Sequence, residues 1–412
     1  MDSDTSSSRA EKPAADLQRD DNTNKYRIDA EKTDHGPAPE DDTQYPSGFK
    51  LVVIILSLVL AIFLASLDMT IVATAIPKIT DEFKGLSDVS WYGSAFFRAP
   101  DAAAPATAPW RERLLQMDLS GVAMVVGALL SYVLALQHAG VGAAWDSGLV
   151  VGLLVGFVLI LAAFAVWERF QGERAMIVPR LFAQRPVGTA CLFTLFFSGS
   201  CYLVIYYLPI YFQSVFGVSP TTSGVDNLPL IVAISVAMIL SGAFASAAIA
   251  MVASGLLYTL DVDTSTGRWV GYQILGSAAW GMAWQLPIIV GQSSASASDI
   301  STVTAMVLFF MNFGGTTFVS AAQAAFVNTI INTIPSSAPA VDPVTVIDTG
   351  ATQIRAMFPA DQVSGIVLAY MSGIKVAFAI SIGATGLACI ISLACRWKRL
   401  NTEDTKASGG AA

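Results

Sequence analysis

Charged residues are scarce in this sequence. They make up 13% of its 412 residues, about half of the roughly 25% that is typical of soluble domains. Hydrophobic residues reach 54%, and much of the net charge of −8 lies in the N-terminal tail. That tail has almost no apolar residue, so it cannot bury enough surface to fold alone. The composition excludes an ordinary soluble enzyme and indicates a membrane protein.

Histidine and cysteine are also rare, and their scarcity excludes several kinds of chemistry. Two histidines are too few for the histidine boxes of membrane-bound iron enzymes. The four cysteines lie in or beside apolar runs, without metal-type spacing and without a disulfide framework. The sequence also has no nucleophile motif, no phosphate-binding loop and no paired carboxylates within one apolar run. We therefore expect no enzymatic activity, no cofactor, no metal and no nucleic-acid partner.

Long apolar runs make up most of the chain. A membrane helix needs about 20 mostly apolar residues, and the runs that meet this requirement are Leu51–Ile76, Leu119–Leu136, Leu149–Trp167, Val187–Phe212, Val270–Val290, Val303–Ile330 and Ile366–Cys395. As one helix, Leu228–Leu260 would be about 50 Å long, too long for a hydrocarbon core of roughly 30 Å. We expect two shortened helices there, with a turn around Ser241–Ser246. The predicted fold class is an all-α polytopic membrane protein.

Polar segments between these runs divide the chain into parts. We predict a disordered cytosolic tail (1–49), a first transmembrane helix (50–77), an irregular linker with a remnant of a second helix (78–117), about seven transmembrane helices (118–330), an outer loop with a short amphipathic helix at Asp348–Phe358 (331–364), a last transmembrane helix (365–395) and a cytosolic tail (396–412). Arginines concentrate between Arg169 and Arg185 and after Arg396. By the positive-inside rule, both segments are expected in the cytosol.

Several motifs occur at the ends of these runs. The first run ends in LDMTIVATAIP from Leu67, and the later motifs are DVSWYGSA from Asp88, YYLPIYFQ from Tyr206, GYQIL from Gly271, NFGG from Asn312 and TGATQIR from Thr349. With these motifs the chain resembles the major facilitator superfamily, specifically the fungal 14-helix drug:proton antiporters that include mycotoxin efflux pumps. The resemblance covers roughly 51–97 and 114–399, and it implies a major-facilitator-type helical bundle.

The N-terminal half of that bundle is incomplete in this chain. The family's Gly/Asp/Arg motif after the second helix, its buried Arg in the fourth and its Gly/Pro-rich motif in the fifth are all absent. The sequence passes from the second helix at Phe97 to the link before the seventh near Trp110, so about five spans are missing. A smaller loss joins the tenth and eleventh helices between Ala243 and Met251. Because losing an odd number of spans reverses the later topology, either 90–110 crosses the membrane poorly or the first helix inserts in the opposite sense.

Asp68 is the leading functional candidate. It lies about 17 residues, or near 26 Å, along the first helix and so past the bilayer midplane. A charge inside the bilayer costs at least a few kcal/mol, so such residues face a water-filled path or a partner. The family motif, which also includes Leu67, Thr70, Ala75 and Pro77, implies proton coupling at Asp68. The alternative is an acid at an outer helix end, solvated by headgroup water.

Uncharged polar and aromatic residues inside the runs are candidates for a substrate path. They are Tyr207, Gln213, Gln273, Trp280, Gln285, Asn312 and Gln323. Polar residues within membranes prefer the bundle interior, and the aromatic rings could stack on flat substrates. Hydrogen bonding or packing between helices is the alternative role for each of them. Two further motifs, Gly152-x-x-x-Gly156 and Ser277-x-x-x-Gly281, predict close approach of neighbouring helices.

The resemblance implies a proton-coupled efflux transporter for small amphipathic organic molecules, such as a drug, toxin or secondary metabolite. It also implies a fungal plasma membrane, with the substrate, protons and the lipid bilayer as partners. Transporters of this type hold substrate between two helical halves and rock around it, so they need both halves. The alternative is therefore a truncated, non-transporting membrane protein or a partner subunit of a full-length pump.

Overall fold

The computed structural model describes residues 118–140, 142–239 and 246–394. Both predicted tails, the first transmembrane helix (50–77) and the linker (78–117) lie outside the described residues. In chain order the described helices are α1 (Leu119–His138), α2 (Gly148–Gln171), α3 (Pro179–Phe182), α4 (Arg185–Val215), α5 (Pro220–Asp226), α6 (Leu228–Ile239), α7 (Ser246–Tyr258), α8 (Thr266–Trp284), α9 (Leu286–Ser294), α10 (Ile300–Ser337), α11 (Pro343–Thr349), α12 (Ile354–Met357) and α13 (Ala360–Ala394).

Helices account for nearly all of the regular structure. Besides the α-helices, the described residues contain one 3-10 turn, Gly172–Arg174, and one isolated bridge between Ala139 and Ala143, but no strand. Within these residues, seven helical segments are long and apolar enough to cross a membrane. Two of them are joined helix pairs, α5 with α6 and α8 with α9. The chain is an all-α polytopic membrane protein, which confirms the predicted fold class.

Three long helices form the centre of the described bundle. Helices α4, α10 and α13 pack against one another along their lengths, and their buried side chains belong to one apolar cluster. Beside them, α8 packs against both α6 and α7, and α7 packs against α13. Helices α1 and α2 form a hairpin that reaches α10 through α1. Because α2 is apolar all round yet mostly exposed, we assign its outer face to lipid.

Arginine contacts mark one end of the bundle. The Nε of Arg185, at the start of α4, donates to the carbonyl of Ala394 at the end of α13, at 2.9 Å. Arg180 forms ion pairs with Glu173 (2.8 Å) and with Asp299, just before α10 (3.0 Å). Hydrogen bonds from Arg180 and Ser296 hold the pKa of Asp299 below its ordinary value. This is the arginine-rich end that the positive-inside rule predicts to be cytosolic.

A second set of contacts marks the opposite end. The Arg355 guanidinium, in α12, donates to the carbonyls of Ser214 (2.9 Å) and Val215 (2.6 Å), where α4 ends. These carbonyls lack partners within the helix, so Arg355 caps α4. Asn328 in α10 donates to the carbonyl of Ala139 at the end of α1, at 3.0 Å. The loops after α1, α4 and α10 therefore lie on one side of the bundle.

The run at Leu228–Leu260 forms two helices, as its length predicted. Helix α6 has 12 residues and α7 has 13, so they are about 18 and 20 Å long at 1.5 Å per residue. The expected turn around Ser241–Ser246 lies almost wholly outside the described residues.

The boundaries of the outer loop differ from the predicted 331–364. Helix α10 continues to Ser337, because buried Ile334 extends its apolar face and the hydroxyl of Thr333 bonds back to the carbonyl of Thr329 at 2.7 Å. Helix α13 already begins at Ala360. Two short helices, α11 and α12, take the place of the single one expected at Asp348–Phe358. Gly350, with φ of +74°, separates them, since that backbone conformation cannot continue a right-handed helix.

Of the two small-residue motifs, one makes the close contact that was predicted. A Cβ added to Gly281 would lie 2.5 Å from the carbonyl oxygen of Ile234, so α8 and α6 touch there. The prediction for Gly152 and Gly156 is wrong for the part of the chain that the structure describes, because a Cβ at either would meet nothing within 4 Å. Both glycines lie on α2, which faces outward.

Candidate functional site

The predicted proton-coupling residue cannot be placed. Asp68 and the motif residues around it, Leu67, Thr70, Ala75 and Pro77, lie outside the described residues. Their roles stay predictions. The structure does place all seven substrate-path candidates, and these fall into three groups according to their surroundings.

Tyr207 and Gln323 come together in the centre of the bundle. The Tyr207 hydroxyl, on α4, donates to Oε1 of Gln323, on α10, at 3.2 Å. Tyr207 is fully buried and Gln323 is 4% exposed. The Phe326 ring lies edge-on to both Tyr207 and Tyr370, with centroids 5.5 and 5.7 Å away. A polar pair enclosed by aromatic rings thus joins α4, α10 and α13.

Glycines bring α4 and α10 close enough for this pair to form. A Cβ at Gly314 of α10 would overlap the carbonyl oxygen of Leu195 on α4, and one at Gly315 would lie 2.6 Å from the Tyr202 ring. Small residues allow membrane helices to approach until their backbones nearly touch. The Gly314–Leu195 contact lies about two and a half turns before Gln323 on α10 and about three turns before Tyr207 on α4. It therefore fixes the spacing at which a phenol and an amide can bond across the two helices.

Gln273 and Trp280 occupy the interior face of α8. The Gln273 amide nitrogen donates to the carbonyl of Asp226, at the end of α5, at 3.1 Å. Its Oε1 and the Trp280 indole N–H are buried and make no hydrogen bond within the described residues. Since the two residues are seven apart, they share one helix face. This face presents one acceptor and one donor to the interior, and Gln213 on α4 is buried as well.

Gln285 and Asn312 lie apart from the buried candidates. Gln285 is half-buried at the junction of α8 and α9, where Pro287 follows. The Asn312 side chain donates to the carbonyl of Leu308 in its own helix at 2.9 Å, so its amide is turned back on α10. The structure therefore groups Tyr207 with Gln323 and Gln273 with Trp280, but it places neither Gln285 nor Asn312 with them.

Sequence reasoning missed two buried polar clusters. The first is a chain of hydroxyls, in which Ser381 of α13 bonds to Ser200 of α4 (2.7 Å) and to Ser254 of α7 (3.1 Å). The second holds Asp118 and Glu168, at the start of α1 and the end of α2. A usable signal existed for the second, because both acids lie at ends of consecutive spans that a hairpin brings together. Among the described residues, no three His, Cys, Asp or Glu side chains lie close enough together to hold a metal ion.

Several fungal transporters are similar to the chain over most of its length. No family model matches it. It is 36% identical to the MFS-type transporter grgE of a Penicillium species, over 93% of this chain and 92% of that protein. It is 36% identical to the probable efflux pump gsfJ of Penicillium aethiopicum, over 92% and 94%. A solved bacterial homolog of the human lysosomal transporter Spinster aligns over 86% of this chain and 100% of its own, with 15% identity and a TM-score of 0.46.

The grgE alignment is longer than this chain. It spans 526 positions, whereas the chain has 412 residues, so at least 114 positions (526 less 412) have no residue here. These empty positions lie within the aligned region. About five missing spans of about 20 residues each, with their loops, would leave a gap of this size.

Proposed function

Because the chain belongs to the major facilitator superfamily of membrane transporters, we propose that it is a proton-coupled exporter of small amphipathic organic molecules. Membership follows from 36% identity over more than nine-tenths of both chains, and it makes the protein a multi-pass membrane transporter rather than an enzyme. The observation that carries the export direction is the match, at the same identity, to a probable efflux pump. Proton coupling and the substrate class belong to the proposal.

Buried polar atoms support an amphipathic substrate. The Tyr207–Gln323 pair, the Gln273 carbonyl and the Trp280 indole N–H offer a few donors and acceptors within an otherwise apolar bundle. Sites for small molecules are typically apolar with few polar groups that fix orientation. A substrate with a flat apolar body and one or two polar groups would match these few donors and acceptors.

Asp68 is proposed as the proton-coupling residue, and its amide variant tests this role. In inverted vesicles with an imposed pH gradient, we expect the full chain to accumulate an amphipathic fluorescent dye. Asp68→Asn cannot exchange a proton, so its gradient-dependent uptake should fall to the level of vesicles without the protein. Asp146→Asn, in the exposed loop after α1, is the matched control and should keep normal uptake.

The outcomes of this experiment separate the two parts of the proposal. Equal gradient-dependent uptake by Asp68→Asn and the unchanged chain would remove Asp68 from the coupling mechanism while leaving transport intact. A location in the plasma membrane is also proposed, and fluorescence microscopy of a tagged chain in a fungal host tests it. Signal confined to vacuolar membranes would contradict that location.

A second candidate function follows from the length of the grgE alignment. The at least 114 empty positions favour an incomplete bundle, and a transporter that rocks two halves needs both halves complete. Such a chain would be a non-transporting membrane protein or a partner subunit of a full-length pump. Absence of dye uptake, together with co-purification of the chain with a co-expressed intact transporter of the same family, would support the subunit.

A further inference from the structure

Two carboxyl groups are buried against each other where α1 begins and α2 ends. Asp118 is 2% exposed and Glu168 is 4% exposed, although they lie fifty residues apart in the sequence. Asp118 adopts a left-handed backbone conformation with φ of 40° and is the one non-glycine residue of the described chain with positive φ. Strained backbone of this kind persists where the surroundings require a particular side-chain position.

Each carboxyl has one oxygen with partners and one without. Oδ1 of Asp118 accepts hydrogen bonds from the Gly121 amide (3.1 Å), the Trp167 indole (2.9 Å) and the Gln171 side chain (3.3 Å). Oε2 of Glu168 accepts the Ile177 amide at 2.6 Å. These donors are all uncharged. Oδ2 of Asp118 and Oε1 of Glu168 are buried, and no N–H or O–H of the described residues reaches them.

The two unpartnered oxygens face the same point, above the Cα of Gly121. A Cβ at Gly121 would lie 2.9 Å from Oε1 of Glu168, and it would overlap Oδ2 of Asp118. Two ionised carboxylates in this position would repel each other while both are desolvated, an arrangement in which one carboxyl takes up a proton. One proton on Glu168 would turn Oε1 into a donor toward Oδ2 and satisfy both orphaned oxygens.

The surroundings are consistent with a single shared proton. Burial raises the pKa of Asp118, but the hydrogen bonds from Trp167, the Gly121 amide and Gln171 act against it, and the pKa lies below its ordinary value. An apolar cluster begins about two turns from Asp118 along α1 and about one turn from Glu168 along α2, where Val125, Leu129 and Phe164 pack with Phe309 of α10.

Among the residues that the structure describes, charged groups on the neighbouring elements are exposed or bonded to other residues. Helix α10 carries no acidic or basic residue along its length. Arg169 at the end of α2 and Arg174 in the following turn are exposed. Arg180 of α3 is paired with Glu173 and with the carboxylate just before α10. At the opposite end of α1, the ring of His138 bonds to its own helix.

We propose that Asp118 and Glu168 form a proton-binding site in which one shared proton ties the start of α1 to the end of α2. The site goes beyond the proposed function, because it is separate from Asp68 and stands whether or not the chain transports. Its end of the hairpin is the arginine-rich one, so the proton exchanges with the compartment on that side. Loss of the proton leaves two buried negative charges in contact. Their repulsion weakens the packing of the start of α1 against the end of α2.

Infrared spectroscopy of the purified full chain in lipid vesicles detects the proton directly. At neutral pH we expect the carbonyl-stretch band of a protonated carboxylic acid, and Glu168→Gln should remove its contribution. Glu173→Gln is the matched control, since Glu173 is an exposed carboxylate five residues further on, and it should leave the band unchanged. An unchanged band in Glu168→Gln would mean that Glu168 carries no proton at neutral pH, and it would overturn the proposal.

The pH dependence of thermal unfolding gives an independent test. Above about pH 5 both carboxyls of the unfolded chain are ionised, whereas the folded chain keeps one proton, so stability must fall as the pH rises. In Glu168→Gln an amide N–H replaces the exchangeable proton, and we expect its unfolding temperature to fall less steeply with pH. Glu173→Gln should keep the original slope. Equal slopes in all three proteins would contradict the shared proton.

Two further measurements test the distance between the oxygens and the identity of the bound cation. Gly121→Ala places a methyl group between the two oxygens, and we expect it to shift the carboxylic acid band although both acids remain; an unshifted band would count against the geometry. If Ca²⁺ or Mg²⁺ raises the unfolding temperature of the unchanged chain and not that of Glu168→Gln, the pair binds a metal ion as two carboxylates, and the proton site is wrong.

Discussion

Single polar residues inside this bundle act by joining helices. Tyr207 connects α4 to α10 through Gln323, and Ser381 connects α13 to α4 and α7 through two other serines. Such bonds between membrane helices contribute about 0.6–2 kcal/mol each. The same groups can serve a substrate only when the helices move apart, so a stabilising bond in the closed bundle competes with substrate binding. Because of this competition, removing the Tyr207–Gln323 hydrogen bond should change both the stability of the protein and its transport activity.

We expect Tyr207→Phe to lower the free energy of unfolding by about 1 kcal/mol, because the hydroxyl that donates to Gln323 is lost while the ring keeps its packing. The measurement is reversible unfolding in mixed micelles, with Gln323→Leu and the double variant completing a cycle. Tyr258→Phe, at the exposed end of α7, should change stability by less than about 0.5 kcal/mol. Additive effects of the two core substitutions would show that the bond contributes nothing.

At the scale of whole helices, backbone contacts at glycine decide which helices meet. Gly314 holds α10 against Leu195 of α4, and Gly365 holds α13 against the carbonyl of Ser337 at the end of α10. These contacts lie within the central trio, whereas Gly383 of α13 faces outward with nothing within 4 Å of a built Cβ. The bundle therefore has positions where a methyl group is excluded and positions on the same helices where it is free.

The change Gly314→Ala tests this contact. We expect a loss of about 1–3 kcal/mol, because the obstacle is a backbone carbonyl that cannot rotate away. Gly383→Ala is the control and should be neutral or slightly stabilising, since alanine favours a helix by up to about 1 kcal/mol over glycine. Thermal unfolding in detergent compares the two variants. Equal stability of both would contradict the close approach of α4 and α10.

For the molecule as a whole, the described helix ends fall on two sides. The side with Arg180, Arg185 and Ala394 carries the arginines, and the side with Arg355 holds the loops after α1, α4 and α10. The positive-inside rule predicts that the first side is cytosolic. This orientation depends on how many times the chain before α1 crosses the membrane, because one crossing more or fewer inverts every later loop.

Cysteine labelling tests the orientation. In a chain whose four native cysteines are replaced, we expect Ala144→Cys, in the exposed loop after α1, to react with a membrane-impermeant maleimide on intact cells. Ala183→Cys, exposed between α3 and α4, should react only after permeabilisation. The cysteine-free chain serves as the blank. The reverse pattern would place the arginine-rich side outside the cell and contradict the orientation that the positive-inside rule predicts.

Much of the fold follows from local sequence, and the rest does not for identifiable reasons. The run at Leu228–Leu260 divides into two helices because its length conflicts with bilayer thickness, which sequence alone reveals. The extension of α10 to Ser337 was not predictable, since Thr333 looks polar until its hydroxyl bonds back to its own helix. The outward position of Gly152 depends on which face of α2 meets a neighbour, and no spacing rule specifies that face.

The sequence by itself determined that this chain is a helical membrane protein of a transporter family, because lipid acts on each apolar run separately and satisfies no backbone polar group. Tertiary structure alone decided which polar side chains meet. Tyr207 reaches Gln323, and Ser381 reaches Ser200, only through the rotation of each helix about its axis and the depth at which it packs. Those two quantities arise from contacts between residues far apart in the chain, and no local pattern encodes them.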